Sequence, residues 1–154
     1  MKIFASIILI VLSVSMTKAD QFAVIVAGSK GYYNYRHQAS ACHAYNSFVA
    51  GGIKANNIIT FIHNDIHDSS MNPTPEFLYN KKDGADVYKK CVIDYQKQDH
   101  SAKNFLAVLR GDKEAIGNAG SQRVLNTIGS DSKIFIAFIG DAAPGILNFP
   151  NSTL

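Results

Sequence analysis

An apolar run, Phe22–Ala27, stops at a glycine turn, Gly28-Ser29-Lys30-Gly31, and hands over to a segment with helical spacing. Between them lies a polar and aromatic cluster, Tyr32, Tyr33, Asn34, Tyr35, Arg36 and His37. The run is rich in Val and Ile and has no polar interruption, the pattern of a strand covered on both faces. A buried strand that ends at glycines and feeds a helix holds the loop between them rigidly from both sides. Open α/β sheets build sites in such loops. Arg36 supplies a fixed cation and His37 a titratable ring, both suited to gripping a polar or anionic group. From the residues alone, the plainer reading of that pair is a helix start held in surface hydrogen bonds.

The rest of the chain extends this unit. Tyr35 to Ala50 reads as a helix, with Ala41, Cys42, Tyr45, Phe48 and Val49 recurring at three- and four-residue steps and Gly51-Gly52 as the stop. Ile58 to His63 is a second β-branched, apolar strand. Strand, helix and strand in that order predict a βαβ unit with a parallel pair. Asn64 to Gly84 reads as a long loop. Ser101 is placed to cap a helix through Phe105, Leu106, Val108 and Leu109, with Gly111 just past its end. Ala115 to Ser130 is a weaker element, with Val124, Leu125 and Ile128 as a short helical face. Ile134 to Ile139 is the third strand, again ending at a glycine, Gly140.

Composition sets the class. The chain has 154 residues, room for one domain, with 47% hydrophobic and 18% charged residues, which excludes a disordered polar chain. The net charge of +3 comes from scattered residues, with Lys81-Lys82 and Lys89-Lys90 the only basic doublets, so no nucleic-acid partner is expected. Residues 1–19 read as a signal peptide. Lys2 leads a short apolar run, and Thr17-Lys18-Ala19 puts small residues three and one before a cut at Asp20. An uncleaved anchor is the alternative. Residues 20–154 are then the mature chain on the secretory route, in a lysosome or vacuole or secreted, with no membrane segment after cleavage.

Two cysteines remain in it, Cys42 and Cys91. An oxidising compartment permits a disulfide, but spacing does not establish one, and Cys42 on a core-facing helical stripe reads as a buried free thiol. Two cysteines and five scattered histidines make no zinc cluster, and no metal or cofactor is expected. His43, His63, His67 and His100 read as surface or packed histidines. Asp65 and Asp68 read as solvated loop carboxylates, since their flanks lack a calcium-loop pattern. Gly28 to Gly31 lacks the ending of a phosphate loop. Asn151-Ser152-Thr153 is a glycosylation sequon.

Several segments carry a family resemblance. Ala27-Gly28-Ser29 with Gly31, Tyr33 to Ala39 (YNYRHQA), Cys42 to Tyr45 (CHAY), Asn72-Pro73-Thr74-Pro75, Asp86-Val87-Tyr88, Asn104 to Asp112, Gly145-Ile146-Leu147 and Phe149-Pro150-Asn151 all resemble the legumain family of asparaginyl endopeptidases. The resemblance runs in register from Gln21 to Leu154, and it implies that residues 20–154 are the N-terminal portion of a legumain-like peptidase domain. It implies a caspase-like three-layer α/β sandwich with a mostly parallel sheet, present in part with three strands, and a site at the carboxyl ends of those strands. It implies cysteine-type endopeptidase chemistry, cleavage after Asn in a peptide or protein substrate.

The resemblance also implies roles. The arginine and histidine that help form the pocket for the substrate's asparagine side chain correspond to Arg36 and His37, and the asparagine supporting the catalytic histidine corresponds to Asn34. The catalytic histidine falls at Asp141, and Ala142 replaces the glycine after it. A carboxylate there repels a thiolate and raises its pKa, the reverse of what a cysteine peptidase needs. The nucleophilic cysteine belongs to a strand expected beyond Leu154, and Cys91 does not match it. The expectation is therefore a family member with no intact dyad. Two alternatives stay open: a binding or regulatory pseudoenzyme using Tyr32 to His37 as a recognition loop, and a subunit of the related lipid-anchor transamidase, which shares Asn34-Tyr35-Arg36-His37 and Asn72-Pro73-x-Pro75.

Overall fold

The computed structural model describes residues 19–153. The signal-peptide reading of residues 1–19 lies, apart from Ala19, outside the described residues. Three parallel strands form one sheet in the order β2-β1-β3: β1 is Gln21–Ala27, β2 is Ile58–Phe61 and β3 is Lys133–Ile139. The apolar run Phe22–Ala27 is thus in the central strand. Ala23 to Ala27 are wholly buried, which is why that run alternates with no polar residue at all.

Successive side chains of β1 point to opposite faces, so the sheet divides two cores. Phe22, Val24 and Val26 pack with Phe61, Tyr95, Phe105 and Val108 beneath helix α2, Ala102–Arg110. Ala23, Ile25 and Ala27 pack with Ala39, Ala41, Cys42 and Tyr45 of helix α1, Tyr35–Ala50. The result is the three-layer α/β arrangement expected. Helix α2 is capped as its residues predict: Ser101 Oγ accepts from Asn104 N at 3.3 Å, and Gly111 takes the left-handed conformation, φ 69°, that closes the carboxyl end.

Three expectations are corrected. Cys42 is not a free thiol; it is joined to Cys91 in a disulfide, with Cα atoms 5.2 Å apart. The loop after β2 folds back along α1, where Asn46 Nδ2 donates to Val87 O (2.8 Å) and Tyr79 N donates to the Tyr35 hydroxyl (2.6 Å), and this return brings Cys91 to the helix. The segment from Ala115 is not a helix through Ser130. Only α3, Lys113–Ile116, is helical, and it stops at Gly117. Val124 and Leu125 are buried from an irregular loop instead, and Leu125 N donates to Val108 O at 3.1 Å, so tertiary packing replaces the helical face. Finally, a small antiparallel sheet follows β3, formed by β4 (Ala142–Ala143), β5 (Ile146–Phe149) and β6 (Ser152–Thr153) in sequence order. Its strands of two to four residues are too short to leave a readable period.

The two edges of the parallel sheet differ. At β2, Tyr95 runs alongside: its N donates to Thr60 O and Ile62 N donates to Tyr95 O, both at 3.0 Å. At β3 no described strand lies outside, and Ile134, Phe135 and Ile136 are 45%, 55% and 48% exposed.

Candidate active site

The carboxyl ends of β1 and β3 meet at two glycines. A Cβ on Gly28 would stand 2.5 Å from Asn148 O and 2.7 Å from the Phe138 ring, so only glycine lets the small sheet cross this closely above β1. That contact brings the segment after β3 over the loop after β1, and Asp141 over Arg36 and His37.

The three side chains converge. Asp141 Oδ1 lies 3.6 Å from Arg36 Nη2 and 4.0 Å from His37 Nε2. The Arg36 and Asp141 side chains are 62% and 67% exposed, whereas His37 is buried. The His37 ring is held from behind: a 2.7 Å hydrogen bond joins its Nδ1 to Ser29 Oγ, and Ser29 is also buried. Burial lowers the pKa of His37, the Arg36 charge lowers it further, and Asp141 opposes both. The ring is therefore held in place, its neutral form favoured by burial, with Nε2 facing the carboxylate. Asn34 Nδ2 donates to Lys30 O at 3.3 Å, and Arg36 Nη1 donates to Tyr33 O (3.4 Å) and Asn34 Oδ1 (3.5 Å). Asn34 thus makes its hydrogen bonds within its own loop and orients the guanidinium.

Three further residues support the site, though none is singled out as a site residue by the sequence. Ser29 looks like an ordinary turn residue. Asp65, read as a solvated carboxylate, accepts from Gly31 N at 2.8 Å and from Gln38 Nε2 at 2.6 Å, pinning the glycine turn to α1. Gln38, itself buried, accepts through Oε1 from Asn64 N at 3.1 Å. Asn151 lies on the turn between β5 and β6, where its Oδ1 accepts from Lys30 Nζ and its Nδ2 donates to Lys97 O, both at 3.1 Å. The other histidines stand apart from this cluster, and His100 is wholly buried among Phe61 and Phe149. Among the described residues, no three His, Cys, Asp or Glu side chains form a group that could hold a metal ion.

Residues 21–154 match the model of the Peptidase C13 family. The chain belongs to this family. Similar proteins include the legumain of Bos taurus, 49% identical over 133 residues, and the legumain of Mus musculus, 50% identical over 133 residues. Each alignment covers 86% of this chain and 30% of the relative. The vacuolar-processing enzyme of Phaseolus vulgaris is 43% identical over 131 residues, 85% of this chain and 26% of the relative. The chain therefore spans less than a third of the length of these curated relatives. The C13 segments on which the resemblance rests surround the geometry just described, since Tyr33 to Ala39 holds Arg36 and His37, and Gly145 to Asn151 forms the small sheet that closes over them.

Proposed function

We propose that this C13 chain carries the peptide-recognition half of a legumain-like site and does not cleave peptides by itself. One observation supports this above the rest: the position expected to hold the general base carries Asp141, whose carboxylate pairs with the two recognition residues, Arg36 and His37. An anion so placed cannot generate a thiolate. It disfavours one and competes for the Arg36 guanidinium that a substrate's amide oxygen needs. The chain's two cysteines also hold each other, so neither is available as a nucleophile.

In this reading Arg36 donates to the carbonyl of a polar side chain such as asparagine, His37 Nε2 faces it from below, and Asn34 keeps the guanidinium in place. The disulfide fits an oxidising compartment and hence the secretory route, as does the name of one relative, a vacuolar-processing enzyme. On that route Asn151, exposed on its turn, is the acceptor for an N-linked glycan.

The test is direct. The full chain is incubated with a fluorogenic asparaginyl peptide, and binding is followed separately by chemical-shift perturbation of the Arg36 and His37 signals. The expected result is perturbation without turnover, unchanged in Asp141→His because no thiol is supplied. Turnover by the full chain would overturn the reading.

A further inference from the structure

The loop after β2 encloses a cavity of about 320 Å³ against the start of α1. Tyr32, Tyr35, Pro73 and Tyr79 make its apolar walls, and Lys81 and Lys82 border it. An apolar cleft of this size with a few polar groups is the usual form of a small binding site. All its walls are among the described residues, and they come from α1 and from the loop that follows β2.

Those walls are fixed by hydrogen bonds. Asn72 is buried, and its Nδ2 donates to Ile66 O and Phe77 O, both at 3.2 Å. Its Oδ1 accepts from Thr74 N at 3.1 Å and from Thr74 Oγ1 at 3.2 Å. The segment Asn72-Pro73-Thr74-Pro75 is therefore a locked turn, stiffened again by two prolines. Across the cavity, Tyr79 N donates to the Tyr35 hydroxyl at 2.6 Å. A tight turn, closed by Gly84 N donating to Lys81 O at 3.1 Å and with Asp83 at φ 54°, presents the two lysines. A ligand that meets walls held in this way loses little free energy in ordering them.

The charge around the cavity has one sign. No carboxylate lines it, and neither Lys81 nor Lys82 forms an ion pair among the described residues. The nearby Asp86 spends its oxygens on main-chain donors: Oδ1 accepts from Leu78 N (3.1 Å) and Tyr88 N (2.9 Å), and Oδ2 from Lys89 N (3.1 Å). The Tyr35 hydroxyl accepts from Tyr79 N and donates to no group among the described residues, so its own proton is free for a ligand. One hydroxyl donor and two ammonium groups on apolar walls suit a carboxylate on a short aliphatic stem.

Tyr35 and Arg36 are consecutive, with Cα atoms about 3.8 Å apart. Successive helical side chains diverge by about 100°, so Arg36 turns to Asp141 while Tyr35 turns to the loop after β2. An extended peptide advances about 3.3 Å per residue, and one anchored at Arg36 passes the cavity within a few residues. We propose that this cavity is a second subsite of the recognition loop, taking the side-chain carboxylate of an Asp or Glu within about four residues of the anchored asparagine, a role that rests on Arg36 and His37 being the anchor.

Paired peptides test it on the full chain. Each carries one Asn, with a single Glu stepped through the four positions on either side, and each has a Gln counterpart. At one position the Glu peptide is expected to bind about three- to fivefold tighter than its Gln counterpart. The amide signals of Thr74, Lys81 and Lys82 are expected to shift together with those of Arg36 and His37. In the double variant Lys81→Gln with Lys82→Gln the Glu-to-Gln ratio should fall to about one. Both lysines are exposed, so the variant keeps its fold, which far-UV circular dichroism checks. Equal binding of Glu and Gln peptides at every position, with Arg36 and His37 still shifting, overturns the subsite alone. So does a Glu preference that survives the double variant. Signals of Arg36 and His37 that stay still with every peptide overturn the anchor, and the subsite with it.

Discussion

Asp141 Oδ1 stands 3.6 Å from Arg36 Nη2, joining the segment after β3 to the first turn of α1 at the carboxyl end of the sheet. Both side chains are well exposed, so the pair adds little stability, on the order of 0–1 kcal/mol. Its consequence is electrostatic, because it sets the charge felt by His37. Asp141 raises the His37 pKa and Arg36 lowers it. Asp141→Asn is expected to push the His37 pKa further down, and Arg36→Gln to move it up, with thermal midpoints nearly unchanged. NMR titration of the His37 ring protons reads both shifts. Equal and unchanged titrations would show that neither charge reaches the ring.

The disulfide closes a loop between residues 49 positions apart. In the chain-entropy picture a loop of that size stabilises the folded state by about 4 kcal/mol. Cys91→Ser is expected to lose a large share of that and to loosen the Asn64–Gly84 loop against α1. Denaturant titration, with amide exchange at Asn46 and Tyr79, measures both. Cys42→Ser should match it, since either change removes the same bond.

His100 is expected to set an acid limit on stability. It is wholly buried, neither ring nitrogen has a hydrogen-bond partner among the described residues, and its pKa is pushed down to about 3 by burial and then by His63, whose ring lies 6.4 Å away. The unfolded chain, with an ordinary pKa of 6.5, binds this proton more readily than the folded one. The sign follows: stability is full above about pH 6.5 and falls as pH drops, by up to about 1.4 kcal/mol per pH unit until about pH 3. His100→Leu should flatten that limb in urea midpoints measured between neutral and acid pH. An unchanged slope would place the acid sensitivity elsewhere.

Phe61 ties together the core beneath α2. It is wholly buried, stacks on Tyr95 at 4.4 Å between ring centroids, and meets Phe105 edge-on at 5.8 Å. Phe61→Ala is expected to cost about 3–5 kcal/mol and to release Tyr95 from the β2 edge. Calorimetric midpoints and the fluorescence of Tyr95 report the two effects.

Much of this fold was legible before any coordinate. β1, β2 and β3 announce themselves as β-branched apolar runs, α1 as a stripe at helical spacing, and α2 through Ser101 and Gly111, because these are local periodicities and local caps. The placement of Arg36 and His37 just after the glycine turn of a buried strand was legible too, since both the strand and the turn are local signals. The short strands β4 to β6 were not, having no period to read, and neither was the irregular path of Val124 and Leu125, where burial against Val108 overrode a weak helical pattern.

What the tertiary structure alone decided concerns pairs far apart in the chain. Whether Cys42 is a thiol or half of a disulfide depended on where the loop after β2 returns. Whether Asp65 is a solvated carboxylate or the anchor of the glycine turn depended on its meeting Gly31 and Gln38. The residue types determined what each group could do: a carboxylate at position 141, a cation at 36, a titratable ring at 37. Their meeting required β3 to lie beside β1 and Gly28 to admit the small sheet above it. Those are long-range contacts, set by how the two cores close on a central strand and not by any neighbour in sequence.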